Sequence, residues 1–249
     1  RSSRVIAASI VKIIGYELGR DEVKEQTAGE RFENQTKEFI RTAFSEIGHL
    51  RPGDWLFSTR QTEISRFEQY EHLGMIERII RNDIGLSTTF GGDYIVTPDI
   101  IVARRAVSDD EINQNSTVIT IEDNLVRFSP LRSINRPEPA WILHASISCK
   151  WTIRSDRSQN TRTEALNLIR NRKGPLPHIV VVTAEPLPTR LATLALGTGD
   201  IDCVYHFALP ELQVAIQELD NQDQQDMLNA MIEGRRLRDI SDLPFDLAI

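Results

Sequence analysis

"WILHASISCKWTI", residues Trp141 to Ile153, alternates apolar and polar side chains over a long run. A period of two marks a β-strand, because successive side chains leave opposite faces of the pleat. Trp141, Leu143, Ala145, Ile147, Cys149, Trp151 and Ile153 fall on one face, and His144, Ser146, Ser148, Lys150, Thr152 and Arg154 on the other. The alternation therefore predicts a strand through Ile153 with Ser148, Lys150 and Arg154 on a shared polar face.

Downstream of this strand the punctuation is regular. "SQNTRTEALNLIRNRKGP" reads as a helix ended by Gly174-Pro175, and "HIVVVTAE" as a buried strand. "LPTRLATLALGTG" reads as a helix, "DCVYHFAL" as a strand, and "PELQVAIQEL" as a helix with Pro210 in its first turn. From Gln222 the tail reads as a helix with little apolar face. Upstream, "RSSRVIAASIVKII" suits an amphipathic helix, as do "ERFENQTKEFIRTAFSEIGHL", stopped by Arg51-Pro52-Gly53, and the stretch from Thr62 to Arg81. "GGDYIVTPDIIVARR" turns at Gly91-Gly92 and reads as strand, kink at Pro98-Asp99, strand. Residues 108–138 are polar, with one short strand candidate in "STVITI", and prolines at 130, 137 and 139 punctuate the approach to the next strand.

This order predicts an α/β or α+β domain around one mixed sheet. A single domain is expected over residues 1–249, with a helical part to about residue 85, a sheet core from about 90 to 215, and a helical C-terminal tail. The length allows one large core. No apolar run approaches the roughly 20 residues that a membrane span needs. Cys149 and Cys203 lie far apart inside apolar runs, as expected of reduced core cysteines and not of a disulfide framework.

The net charge is -7, yet it is unevenly spread. Between Lys150 and Lys173 stand seven basic residues against Asp156 and Glu164 alone. Such segregation suits a protein that meets a polyanion on one face, whatever its total charge.

Asp99, Lys150 and Glu164 form a chemically sensible set. Hydrolysis of a phosphodiester needs carboxylates that hold a divalent metal and a cation near the scissile phosphate. Each residue also has a plainer reading. Pro98-Asp99 suits a turn, Lys150 a solvated strand face, and Glu164, about one turn into the next helix, a partner for the helix dipole. His144 shares the face of Lys150 but lies six residues away, roughly 20 Å along an extended strand. His178 and His206 read as packed or capping residues.

The combination resembles a known family. Pro98-Asp99, then "SCK" at Ser148 to Lys150, then Glu164 after an intervening 13 residues, is similar to the CCGG-recognising branch of type II restriction endonucleases within the PD-(D/E)xK nucleases. The wider superfamily places an acidic residue two before the lysine. Ser148 stands there instead, and the branch supplies the carboxylate from the following helix, which Glu164 matches. "RSDR" at Arg154 to Arg157 resembles the recognition element of the branch.

The resemblance implies a restriction-endonuclease-like core, a central mixed β-sheet flanked by helices. It implies a Mg2+-dependent enzyme cutting double-stranded DNA at a palindrome with a CCGG core and leaving 5′ overhangs. Asp99 and Glu164 would ligate the metal, with the backbone carbonyl of Cys149; Ser148 would hydrogen-bond a metal-bound water, and Glu33 would stand near as a further acidic group. Arg154 and Arg157 would donate to guanine O6 and N7, and Asp156 would accept from cytosine amino groups. Gln26 and Arg190 correspond to residues touching the flanking pairs, which would make the site GCCGGC. A homotetramer built as a dimer of dimers and a bacterial cytoplasmic location are also implied. Two other readings stay open: a structure-specific repair or junction nuclease on the same fold, and a non-catalytic DNA-binding protein.

Overall fold

The computed structural model describes residues 2–17, 25–60, 63–82, 85, 96–120, 122, 125–132, 140–197 and 199–249, with the side chains of residues 25, 81 and 155–157 outside that description. Six strands form one sheet in sequence order: β1 (Trp55–Ser58), β2 (Ile100–Arg105), β3 (Trp141–Lys150), β4 (His178–Thr183), β5 (Cys203–His206) and β6 (Leu237–Asp239). β1, β2 and β3 pair antiparallel, and β3 to β6 pair parallel. The protein is therefore α/β with a mixed sheet. Each parallel step needs a crossover, and the sequence supplies helices for it.

Both faces of the sheet are covered, which is why β4 is apolar along most of its length. Ile179 and Val181 point to one core, Val180 and Val182 to the other. Onto the first face pack α1 (Ser2–Ile14), α3 (Glu71–Arg81), α5 (Ser155–Asn171), α6 (Pro188–Ala195), α7 (Leu209–Glu218) and α8 (Gln222–Glu233). The second face is covered by α2 (Glu25–Glu46), through Phe32, Ile40 and Phe44, and by the short α9 (Leu243–Asp246) region, through Leu243 and Leu247. The remaining short helix, α4 (Asp109–Ile112), follows β2 and is closed by a Ser108–Glu111 capping box.

The sheet departs from the alternation of the sequence at one residue. Val102 pairs with Ala145 and Ala103 with Leu143, so His144 is an extra residue, a β-bulge in β3. Its effect is to exchange faces. Leu143 packs in the first core, while Ala145, Ile147 and Cys149 belong to the second. His144 thus leaves the face of Lys150; its Nε2 lies 2.7 Å from the Leu247 carbonyl, and its ring stands edge-on to Trp55 and His178. Leu143, which β4 does not reach, finds its partner in the buried side-chain amide of Gln69. That amide donates to the Leu143 carbonyl at 2.8 Å and accepts from its N–H at 3.0 Å.

Other sequence expectations are corrected as well. β3 ends at Lys150, not Ile153; beyond it Ile153 turns into the first core and exposed Trp151 stands edge-on to Phe32. The helix expected from Thr62 begins only at Glu71, after two short 3-10 turns, because extended Phe67 bridges to Trp141. "STVITI" makes no strand over residues 117–120: the Asn113 side chain takes the N–H groups of Val118 and Ile119 and the carbonyl of Ile119. Val96 to Pro98 are irregular, and the second strand of that stretch forms as β2; residues 91–95, where the first was expected, lie outside the described residues. The parts read as wholly helical each contain a strand, β1 before residue 85 and β6 in the tail. Gly91-Gly92, Pro137 and Pro139 lie outside the described residues.

Candidate active site

Asp99 directly precedes β2, and Ile100 of that strand pairs with Ile147 of β3. The antiparallel register carries Asp99 towards the last residues of β3. Pro98, buried and without an N–H, ends the pairing and frees the next side chain from the sheet. Asp99 Oδ2 accepts from the Cys149 N–H at 2.8 Å and from Lys150 Nζ at 2.8 Å. Both partners are consecutive residues, one contributing backbone and the other side chain.

Two more carboxylates share this field. Burial, then the charge of Asp99, pushes the Glu33 carboxyl from 4.5 up to about 7, while Lys150 opposes the shift. Burial chiefly raises Glu164 too, with Asp99 adding to it and Lys150 again opposing. Glu33 is carried on α2, whose Phe32 is sunk in the second core and whose buried Thr36 bonds the Cys149 thiol. Glu164 is carried on α5, held to the first core by Ala165 and Leu168. The sheet end thus brings Glu33, Asp99, Lys150 and Glu164 together from four elements or their edges.

α5 begins at Ser155, three residues before the sequence reading. Glu164 therefore stands more than two turns inside the helix, at 3.6 residues per turn. A dipole-complementing role, which fades beyond the first turn, does not explain it. A cleft of about 270 Å³ opens there, lined by Gly29, Cys149, Lys150, Trp151, Thr152, Asn160, Thr161 and Glu164. Ser148 is half-buried on β3 opposite Val181 of β4.

The "RSDR" stretch stands at the rim. Arg154 is the exposed, extended N-cap residue of α5, and residues 155–157 form its first turn. The side chains of Asp156 and Arg157 lie outside the described residues. Gln26 is exposed on α2, its amide donating to Glu30 at 3.2 Å. Arg190, in α6, is exposed and reaches Glu185 at 3.4 Å. Glu185 itself was not singled out from the sequence. It is fully buried and also accepts the Ile153 N–H at 2.9 Å. A charged residue closing the apolar run "HIVVVTAE" was the available signal, since carboxylates are seldom buried without partners.

The donor set suits a hard divalent cation. Glu33, Asp99 and Glu164 share the field of one lysine, and burial is the chief cause of the upward shifts of Glu33 and Glu164, a penalty on their ionised forms that a bound cation would offset. Among the described residues no three acidic, histidine or cysteine side chains are already gathered into a metal cage. A magnesium-type site does not require one, because one or two carboxylates commonly share the ion with water and substrate phosphate.

Comparison with known proteins gives the family. The model of the NgoMIV restriction enzyme family matches residues 1–249. The chain is 49% identical over 248 residues to the type II restriction enzyme NgoMIV of Neisseria gonorrhoeae, spanning 98% of this chain and 85% of that protein. Among solved structures it is similar to the type IIF restriction endonuclease Bse634I with cognate DNA, at 14% identity and TM-score 0.42, over 89% of this chain and 86% of that one. It is also similar to the pre-specific restriction endonuclease BsaWI in complex with DNA, at 13% identity and TM-score 0.35, over 85% of this chain and 65% of that one. The class is that of the type II restriction endonucleases, site-specific deoxyribonucleases that bind double-stranded DNA. Within it, the chain belongs to the NgoMIV restriction enzyme family. Among the described residues no helix is long and apolar enough to cross a membrane.

Proposed function

We propose that this enzyme cuts double-stranded DNA at a palindrome with a CCGG core, GCCGGC when the flanking pairs are read, and that it uses Mg2+ and leaves 5′ overhangs. The observation that carries the reading is the meeting of Asp99 and Lys150 at 2.8 Å beside Glu164, at the foot of the helix that opens with "RSDR". Lys150, Glu164 and the readers of the CCGG core then lie within one short stretch of chain.

In this reading Asp99 and Glu164, with the Cys149 carbonyl, hold the ion. When bound, a divalent cation lowers the pKa of water and offsets charge on the phosphate. Lys150 orients the attacking water or the scissile phosphate as a point charge, and Asp99 fixes its ammonium. Ser148 bonds an ordered water. Glu33, with its carboxyl raised to about 7, accepts or shares a proton at the edge of the site. Arg154 and Arg157 read guanines, Asp156 reads cytosines, and Arg190 and Gln26 read the outer pairs.

A palindrome has two-fold symmetry, so two copies must face it. Likeness to the CCGG branch supports a homotetramer, a dimer of dimers. Membership of a family with a bacterial representative supports a bacterial, cytoplasmic enzyme. One domain over residues 1–249 is supported by two cores built on opposite faces of the same sheet. The test is a magnesium-dependent digest of mapped DNA with sequencing of the product ends. Discrete bands ending within GCCGGC support the reading, and smears or branch-dependent cuts sink it.

A further inference from the structure

Glu185 has no exposed surface, a position carboxylates occupy only when their oxygens are paired. Its Oε2 accepts from the Ile153 N–H at 2.9 Å and from Arg190 Nη1 at 3.4 Å; its Oε1 accepts from the Leu187 N–H at 3.1 Å. The Glu185 N–H donates to Thr183 Oγ1 at 3.0 Å, and that hydroxyl donates to the Lys150 carbonyl at 2.7 Å. An unbroken chain of hydrogen bonds therefore runs from the backbone of Lys150 through Thr183 and Glu185 to the guanidinium of Arg190. Its branch ends on Ile153, the residue before Arg154.

We propose that Glu185 is a positioning residue that couples the reading of the outer and inner base pairs to the cutting lysine. The proposal rests on the base-reading roles given above to Arg154 and Arg190. Arg190 is long and 48% exposed in its side chain, and such side chains lose much rotamer freedom when they bind. Glu185 holds one edge of its guanidinium in advance, leaving the remaining donors to face a base, which lowers the ordering cost for the correct outer pair. The same carboxylate fixes the chain entering the Arg154 turn. A displaced Arg190 pulls on an oxygen shared with Ile153, and through buried Thr183 on the strand end that carries Lys150. Low-dielectric burial strengthens the bonds of Glu185 to the Ile153 N–H and to Thr183.

The test uses the intact enzyme with duplexes carrying GCCGGC or an exchanged outer pair, measuring binding in Ca2+ and single-turnover cleavage in Mg2+ separately. Glu185→Gln keeps the shape but replaces one acceptor with a donor, and outer-pair discrimination should fall about tenfold or more while CCGG is still bound. Thr183→Val cuts the path below Glu185. It should leave binding discrimination in place and slow single-turnover cleavage of the cognate duplex at saturating enzyme. Variants that lose thermal stability while keeping both the discrimination ratio and the cleavage rate overturn the proposal and make Glu185 purely architectural. If Glu185→Gln does not fold, Thr183→Val decides alone: an unchanged cleavage rate refutes the coupling. Arg190→Ala separates the underlying reading. If it keeps outer-pair preference, Arg190 is no base reader and the coupling falls with that reading; if it loses the preference while Glu185→Gln keeps it, the reading stands and the coupling alone is overturned.

Discussion

Asp99 Oδ2 lies 2.8 Å from the Lys150 ammonium and accepts, through the same oxygen, the N–H of the residue just before that lysine. The pair is thus aimed by backbone as well as by charge, and neither member can shift alone. Lys150→Ala or Asp99→Ala should abolish Mg2+-dependent cleavage, a loss of about a thousandfold or more for a group that stabilises developing charge. Specific binding in Ca2+, measured by gel shift, should survive in both. Full cleavage by either variant would remove these residues from the catalytic assignment.

The rim of α5 should govern choice of sequence and not rate of cutting. Arg154→Ala or Asp156→Ala is expected to reduce discrimination between CCGG and singly substituted cores by about 10- to 100-fold, the scale of one good side-chain–base contact. Competition binding against a panel of duplexes measures it. Unchanged ratios would assign the segment to phosphate contacts.

Glu33 gives a pH dependence with a definite sign. Its folded carboxyl is raised from 4.5 to about 7, so the folded state holds a proton that the unfolded state has released. The stabilising contribution is complete below about pH 4.5 and is lost as pH rises through about 7. Thermal unfolding of Glu33→Gln across this window should lack that decline. Adding Ca2+ to the unsubstituted enzyme should also shrink it, because a bound cation favours the ionised form.

Histidine acts in the opposite direction. Burial, reinforced by His178, Arg51 and Arg104 and opposed by the Leu247 carbonyl, lowers His144 to about 4. His206, fully buried, is likewise lowered to about 4 by burial. For such depressed bases the stability is complete above about 6.5 and disappears as pH falls through about 4. His144→Gln should flatten the acid limb of a plot of Tm against pH. An acid limb as steep as before would show that the His144 ring titrates alike in the folded and unfolded states.

Gln69 offers a test of the fold itself. Gln69→Leu leaves the N–H and carbonyl of Leu143 without the amide that pairs both of them. Two unsatisfied buried groups should cost roughly 2–5 kcal/mol. Urea unfolding should show a lower midpoint at an unchanged slope.

Much of this arrangement is legible in the chain because local rules and tertiary context agree. β4 reads as a buried strand because its apolar run is short and flanked by turn residues, and α7 because Pro210 opens it. Lys150 could be placed on a polar strand face from alternation, and Asp99 at a strand end from its proline. β1 and β6 escape notice because four half-buried residues and three mixed ones carry no period. The bulge is invisible for a different reason: inserting His144 leaves an alternating text intact while the pairing partner slips by one. Glu185 is hidden because one of its partners, the Ile153 N–H, is brought from 32 residues away, a relationship no local pattern records.

The bulge has an engineering consequence. It acts as a phase shifter, letting the upstream segment of β3 keep step with one hydrophobic layer and the catalytic segment with another. Deleting His144 would therefore force a choice between two incompatible alignments, misplacing either the Leu143 anchor or the Lys150 terminus. A graft of this active site onto another scaffold has to transplant that one-residue offset along with the acidic and basic side chains.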